Sequence, residues 1–254
     1  MTRNASSSPV LALVLLATAG LPLAACNRER TEPPRDATPA PAASTHAPST
    51  LQSDAHAVRE AADRFGTLVD QTAKGAWADI DRQHTGAKAA AAGVRSGLAP
   101  ERMAELDRAL AAMEKARRDE NRAAFALAGA DANLALLEAR TESLQADQVA
   151  GQRLLNAARR YAALAGATPM DPVAMRAAAD DANAQWVLAA PGLSVNAIPN
   201  DLQAGLTEMR TAATGHDRPD ALQAADVVLT AANRVDLDLN PRTAPVTTTA
   251  PRKT

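Results

Sequence analysis

The stretch Asp147–Gly166, DQVAGQRLLNAARRYAALAG, decides the fold class of this chain. Apolar residues recur in it three or four positions apart and form one stripe: Leu154, Leu155, Ala158, Tyr161 and Leu164. This spacing matches the turn of an α-helix and not the two-residue repeat of a strand. Most of the segment is Ala, Leu, Arg and Gln, which are strong helix formers, and Gly166 is a typical stop. The segment therefore predicts an amphipathic helix.

The same spacing recurs on both sides of this helix, and no segment alternates as a half-buried strand would. Further helices are predicted to begin near Ser53, Pro100, Asp119, Pro172, Asn200 and Pro219. The first of them is expected to bury Val58, Ala62, Phe65, Val69, Ala73, Ala76 and Ile80. Proline and glycine cluster between the segments, as expected for helices joined by turns. We predict an all-α fold, an antiparallel helical bundle of about six to seven helices over residues 51–239.

Two parts of the bundle resemble each other in layout. The residues Leu106, Leu110 and Met113 return 96 positions later as Leu202, Leu206 and Met209. The triplet Asp131-Ala132-Asn133 returns 100 positions later as Ala231-Ala232-Asn233, and each part has one tryptophan, Trp77 or Trp186. The pattern predicts a duplication, with two related three-helix halves in residues 51–145 and 147–235 joined through the Asp147–Gly166 helix.

The N-terminus has the layout of a secretory signal. Arg3 is followed by an apolar run from Val10 to Leu23, which is too short and too interrupted to span a membrane. The run closes on Leu23-Ala24-Ala25-Cys26, and Cys26 is the only cysteine of the chain. An ordinary cleaved signal with a cysteine at this place by chance is the alternative.

These four residues resemble the lipobox of bacterial lipoproteins. The resemblance implies that residues 1–25 are a signal peptide, that Cys26 is the lipidation site, and that the acyl chains anchor the protein in a membrane. Because Asn27, not aspartate, follows the cysteine, the resemblance favours the periplasmic face of the outer membrane, with the inner membrane as the alternative.

Both ends of the mature chain have the composition of disordered segments. Residues 26–50 hold five prolines among Ala, Ser and Thr and no apolar periodicity, so we predict a tether that spans about 27 Å as a coil. Residues 240–254 are predicted to be a disordered, basic tail. The body between them resembles alanine-rich helical lipoproteins of bacteria that have no assigned activity.

Charge and composition argue against nucleic-acid binding. The formal net charge is −2, and aromatic residues make up 2% of the chain. Acidic and basic residues are interspersed, whereas a nucleic-acid-binding face needs clustered cations. With Cys26 acylated, no thiol remains for a disulfide or a thiolate metal site.

Few residues are candidates for chemistry. Asp81 and His84, three positions apart, form a weak candidate pair of metal ligands, but metal sites usually need three or four ligands. Met170 and Met175 are a second weak candidate, for a soft metal such as copper. The doublets Arg117-Arg118 and Arg159-Arg160 and the acids Asp236 and Asp238 are expected to face solvent. Motifs of nucleophilic catalysis and of phosphate binding are missing.

From these observations we predict a lipid-anchored periplasmic protein that is not an enzyme and has no cofactor or metal. Its helical bundle is expected to bind or position an unknown protein of the cell envelope. The alternative is a periplasmic carrier of a metal or small ligand that uses a groove between the two halves.

Overall fold

A computed structural model describes residues 50–194, 199–215 and 217–241, and within these ranges the chain forms eight α-helices and no β-strand. The helices are α1 (Thr50–Thr72), α2 (Trp77–Val94), α3 (Pro100–Arg118), α4 (Arg122–Glu138), α5 (Ala146–Gly166), α6 (Pro172–Ala189), α7 (Leu202–Gly215) and α8 (Arg218–Leu239). The helices pack against one another, which confirms the predicted all-α bundle. None of them combines the length and the apolar content that a bilayer span requires. The predicted signal peptide, Cys26, nearly all of the tether and residues 242–254 lie outside the described residues.

The helix count exceeds the prediction because the first predicted helix is two helices. Ala73 and Ala76, which continue its apolar spacing, are exposed in the connection between α1 and α2. Arg122 donates hydrogen bonds to the carbonyl oxygens of Thr72 and Gly75, at 2.7 and 2.8 Å. These bonds satisfy carbonyl groups that the end of a helix leaves without intrahelical partners. Alanine suits both a helix and its end, so its spacing did not reveal the break.

The helices bury two large apolar cores, one for each half of the chain. The first core is built by α1, α2, α3 and α4, and the second by α5, α6, α7 and α8. Each half therefore contains four helices, and the prediction of three was wrong because α1 and α2 were joined and α5 was placed between the halves. A small third cluster joins them: Val69, Ala126, Ala130 and Ala163.

The two halves bury the same positions along the chain. In three of the four helix pairs, buried residues lie 96 positions apart: Ala62 and Ala158, Phe65 and Tyr161, Leu106 and Leu202, Met113 and Met209, Ala132 and Val228. Between α2 and α6, and in the connections that follow them, the offset is 95: Ile80 and Met175, Ala87 and Ala182, Leu98 and Leu193. A duplication stays a prediction, and this shared register is the structural argument for it.

The helix starts follow the same register. Arg122, the first residue of α4, binds carbonyl groups at the end of α1, and Arg218, the first residue of α8, binds the Ala167 carbonyl after α5 at 2.6 Å. The preceding residues, Asn121 and Asp217, cap the two helices by accepting backbone N–H groups. The 100-residue match of the sequence comparison is not part of this register, because Asn133 is buried whereas Asn233 is exposed.

Candidate functional site

A groove of about 620 Å³ lies where the two halves meet. Residues of α1 and α4 form one side of it, and residues of α5 and α8 form the other. Its apolar lining consists mainly of small side chains: Val69, Ala73, Ala123, Ala126, Ala162, Ala163, Ala225, Leu222 and Leu229. The charged residues on its lining are Asp70, Lys74, Arg122, Arg159 and Asp226. The groove thus offers an apolar surface with charges of both signs around it.

Leu222 is the largest exposed apolar side chain of this groove. It lies in the first turn and a half of α8 and is 43% exposed. Leu237, near the end of the same helix, is 38% exposed but does not line the groove. The two leucines therefore have similar exposure and different surroundings.

An ion pair between the halves closes one edge of the groove. Arg159 of α5 donates two hydrogen bonds to the Asp70 carboxylate of α1, at 2.9 and 2.7 Å. Its side chain is only 11% exposed, because the guanidinium lies directly against Gly66, where a Cβ atom would come within 2.5 Å of Nη1. The expectation that Arg159 faces solvent was wrong. Sequence spacing could not show that a glycine of the other half makes room for it.

In the predicted pair Asp81 and His84, the carboxylate of Asp81 is bound by an arginine. Both carboxylate oxygens of Asp81 accept hydrogen bonds from Arg117, at 2.6 and 2.9 Å. This bond is also the main reason that the pKa of Asp81 lies below its ordinary value. Arg117 in turn stacks on Trp77, 4.4 Å from the ring centroid, so it does not simply face solvent.

His84 lies in a second cavity, a cleft of about 330 Å³ between α2 and α3. The cleft is lined by His84, Thr85, Lys88, Glu114, Arg117 and Arg118. The imidazole is 8% exposed and packs edge-to-face on Phe125 at 5.2 Å, and its Nε2 has no hydrogen-bond partner among the described residues. Burial lowers the pKa of His84 below its ordinary value, which favours the neutral form of the ring.

Met170 and Met175 pack on the apolar core of the second half. Met175 is fully buried in it, and Met170 is half-buried against it. Neither methionine lines the groove between the halves, and neither does His84. Over the described ranges, no three His, Cys, Asp or Glu residues come close enough to hold a metal ion together.

A buried polar cluster near the end of α8 was missed by the sequence reasoning. Asp236 is 6% exposed, and Asn240, which was assigned to the disordered tail, is 2% exposed. The Asn240 amide donates to Asp236 Oδ1 at 3.0 Å, and Arg59 of α1 donates to the Asn240 carbonyl at 2.6 Å. Burial raises the pKa of Asp236 above its ordinary value. An acid in the last turn of a helix gives no sign of burial in the sequence, because the chain that covers it is distant.

Arg140, which follows α4, belongs to the same region. It is 8% exposed, and its Nε and Nη1 atoms have no hydrogen-bond partner among the described residues. Burial, followed by the nearby charge of Arg59, lowers the pKa of Arg140. Arg140 and Asp236 are 96 positions apart, so the same buried place holds a basic residue in the first half and an acidic residue in the second.

A comparison with protein-family models, with curated proteins and with solved structures finds no match to this chain.

Proposed function

We propose that this chain is a lipid-anchored, non-enzymatic binding protein of the bacterial cell envelope, and that the groove between its halves holds a helix of an envelope protein. The groove is the observation that supports this proposal best. Its alanine-rich floor would let a partner's backbone approach closely, and Leu222 offers an exposed apolar anchor at its edge. Amphipathic helices commonly bind in apolar grooves of this kind.

The anchor is proposed from the sequence alone. Cys26 would be acylated at the periplasmic face of the outer membrane, with the inner membrane as the alternative, and the tether would hold the bundle away from the lipid surface. Several acyl chains give stable anchoring, since each buried CH₂ contributes about 0.8 kcal/mol.

Metabolic labelling with a fatty-acid analogue tests the anchor. We expect label on the wild-type protein and none on Cys26→Ser, with unchanged helicity because the tether separates position 26 from α1. Label that persists in Cys26→Ser, or an unlabelled wild type, would contradict the proposed lipidation.

Two leucines of α8 provide a matched test of the groove. A photo-reactive amino acid at position 222, in the full chain with its anchor, should crosslink a discrete envelope protein. The same amino acid at position 237 has similar exposure and should not. Leu222→Arg should abolish copurification of that partner, whereas Leu237→Arg should preserve it. Equal crosslinking from both positions would refute the groove as the binding surface.

A carrier of a small apolar ligand is the second candidate function. The groove volume, about 620 Å³, lies within the range of small-molecule sites, about 300–1,000 Å³. Native mass spectrometry of protein purified from envelopes would distinguish the candidates. A carrier should retain a bound small molecule that Leu222→Arg loses, and a scaffold should be free of ligand and retain a protein partner instead.

A further inference from the structure

We infer that the cleft between α2 and α3 is a binding site for a phosphate-type oxyanion. The cleft is distinct from the groove between the halves, so this inference does not depend on the function proposed above. Three cationic side chains line it, namely Lys88, Arg117 and Arg118, together with the buried ring of His84.

The unpartnered imidazole is the first observation for a ligand. A buried polar atom without a hydrogen bond destabilises the folded state, and such atoms are rare in native proteins. His84 belongs to the buried face of α2, with Ile80 and Ala87 on either side of it. Its packing on Phe125 accounts for the ring but not for the unpartnered Nε2. A ligand that accepts a hydrogen bond from Nε2–H would remove this cost.

The second half of the protein has a small apolar residue at the position that corresponds to His84. His84 corresponds, at the 95-residue offset of α2 and α6, to Ala179, which is fully buried. An alanine therefore satisfies the packing of this position in the same architecture. The histidine of the first half is a polar replacement that packing does not require.

The helix seam next to His84 also differs between the halves. α6 and α7 approach each other closely along their length, whereas α2 and α3 have few close backbone approaches. The second-half seam is bridged by the pair Arg210 and Asp180, at 2.7 Å. In the first half, long charged side chains span the wider seam and leave the cleft between them.

The charges of the cleft favour an anion. Its lining has three cations and one carboxylate, Glu114, which pairs with Lys88. Arg117 is held by Asp81, just outside the lining. No ion pair within the described residues involves Arg118, whose charge acts at longer range on Glu114 and Asp119. The corresponding second-half positions of Arg117 and Arg118 are Ala213 and Thr214, so the cationic excess belongs to the first half alone.

With the ring proton of His84 on Nε2, a bound oxyanion would accept a hydrogen bond from it and charge-assisted bonds from Arg118 and Arg117. Phosphate fits this set better than a carboxylate, because it presents more acceptor oxygens and a higher charge to guanidinium groups. The Thr85 hydroxyl already donates to the Asp81 carbonyl, at 2.9 Å, so we do not include it among the donors to the oxyanion.

Calorimetric titration of the full mature chain with inorganic phosphate tests the site. We expect saturable 1:1 binding, and weakening by about tenfold in Arg118→Gln, the loss expected for one charge-assisted hydrogen bond. The matched control is Arg108→Gln, because Arg108 is also exposed on α3 but does not line the cleft. It should bind phosphate like the wild type.

His84→Ala, which copies the second half, should lose phosphate binding while keeping wild-type helicity. A ring-nitrogen NMR signal that disappears in His84→Ala should shift on phosphate addition in the wild type. Titration with a short-chain phosphatidic acid distinguishes a lipid headgroup from free phosphate as the source, since tighter binding of the lipid favours the headgroup. Absence of saturable phosphate binding, full binding by His84→Ala, or equal losses in Arg118→Gln and Arg108→Gln would overturn the inference.

Discussion

Tyr161 offers a sharp test of the second core, because it is the only tyrosine of the chain. It is fully buried on α5, and its hydroxyl donates to the Met209 carbonyl of α7 at 2.7 Å. Burial raises the pKa of the Tyr161 phenol to about 12. Tyr161→Phe removes the hydroxyl and leaves the ring, and the corresponding residue of the first half, Phe65, already lacks it. The substitution therefore isolates one hydrogen bond.

At neutral pH, Tyr161→Phe should lower the free energy of unfolding by about 1 kcal/mol, the usual net value of a buried hydrogen bond. For a bundle of this size that is a decrease in Tm of about 2–4 °C. Tyr161→Leu should cost more, because it also leaves a cavity in the core.

The effect of Tyr161→Phe on stability changes sign at high pH. An unfolded tyrosine loses its proton near pH 10, whereas folded Tyr161 keeps it until about pH 12. Over that window the folded state binds more protons, so the wild type loses stability as pH rises, by about 2–3 kcal/mol in total. Tyr161→Phe has no such loss and should become the more stable protein above about pH 11. The other titratable groups are the same in both proteins, so their contributions cancel in the stability difference between wild type and Tyr161→Phe.

Two measurements check this prediction. Tyrosinate absorbance at about 295 nm reports on this residue alone, and urea unfolding followed by circular dichroism gives the free energies of both proteins at each pH. A tyrosinate midpoint near pH 10 in protein that is still helical would refute the buried hydroxyl. So would a stability difference between wild type and Tyr161→Phe that does not change with pH.

Two further predictions use the same unfolding assay. Gly93→Ala should raise the free energy of unfolding by about 0.5–1 kcal/mol, because Gly93 is within α2 and an added Cβ meets nothing within 4 Å. Gly205→Ala should lower the free energy of unfolding instead, since its Cβ would lie 2.8 Å from Val228 Cγ2. Equal effects of the two substitutions would refute the packing argument. Because the pKa of Asp236 is raised, the folded state binds more protons than the unfolded state between acid and neutral pH, so wild-type stability falls as pH rises through this range. Asp236→Asn removes this fall and should gain stability relative to wild type from about pH 3 to pH 7, and a gain that is the same at both pH values would contradict the burial of the carboxyl.

The sequence was sufficient for the helices because helix signals are local. Leu154, Leu155, Ala158 and Tyr161 are buried on α5 as their spacing predicted, and α6 begins at the predicted Asp171-Pro172 signal, where Asp171 accepts two backbone N–H groups. Each of these features depends on residues within one or two turns of each other. The break after Thr72 escaped because the arginine that satisfies the end of α1 is on another helix.

The site residues were harder to predict because their roles depend on distant parts of the chain. His84 was identified as a candidate, but as a ligand paired with Asp81, and nothing local showed that Arg117 occupies that carboxylate. Asp236 and Asn240 were read as solvent-exposed because their cover comes from Arg59 and from the start of α5. Patterns of three and four residues contain no information about such partners.

The groove itself follows from the composition of the joint between the halves. The cluster that joins them has one valine and three alanines: Val69, Ala126, Ala130 and Ala163. Alanine side chains allow helices to approach but fill little volume, so a joint made of them leaves space wherever the helix axes diverge. The two main cores instead have Phe65, Phe125, Tyr161 or Met175 at their centres. Leucine side chains at the joint would also hold the halves together, but they would fill this space. The ion pair between Arg159 and Asp70 holds the two halves together at one edge and leaves the apolar floor of the groove accessible.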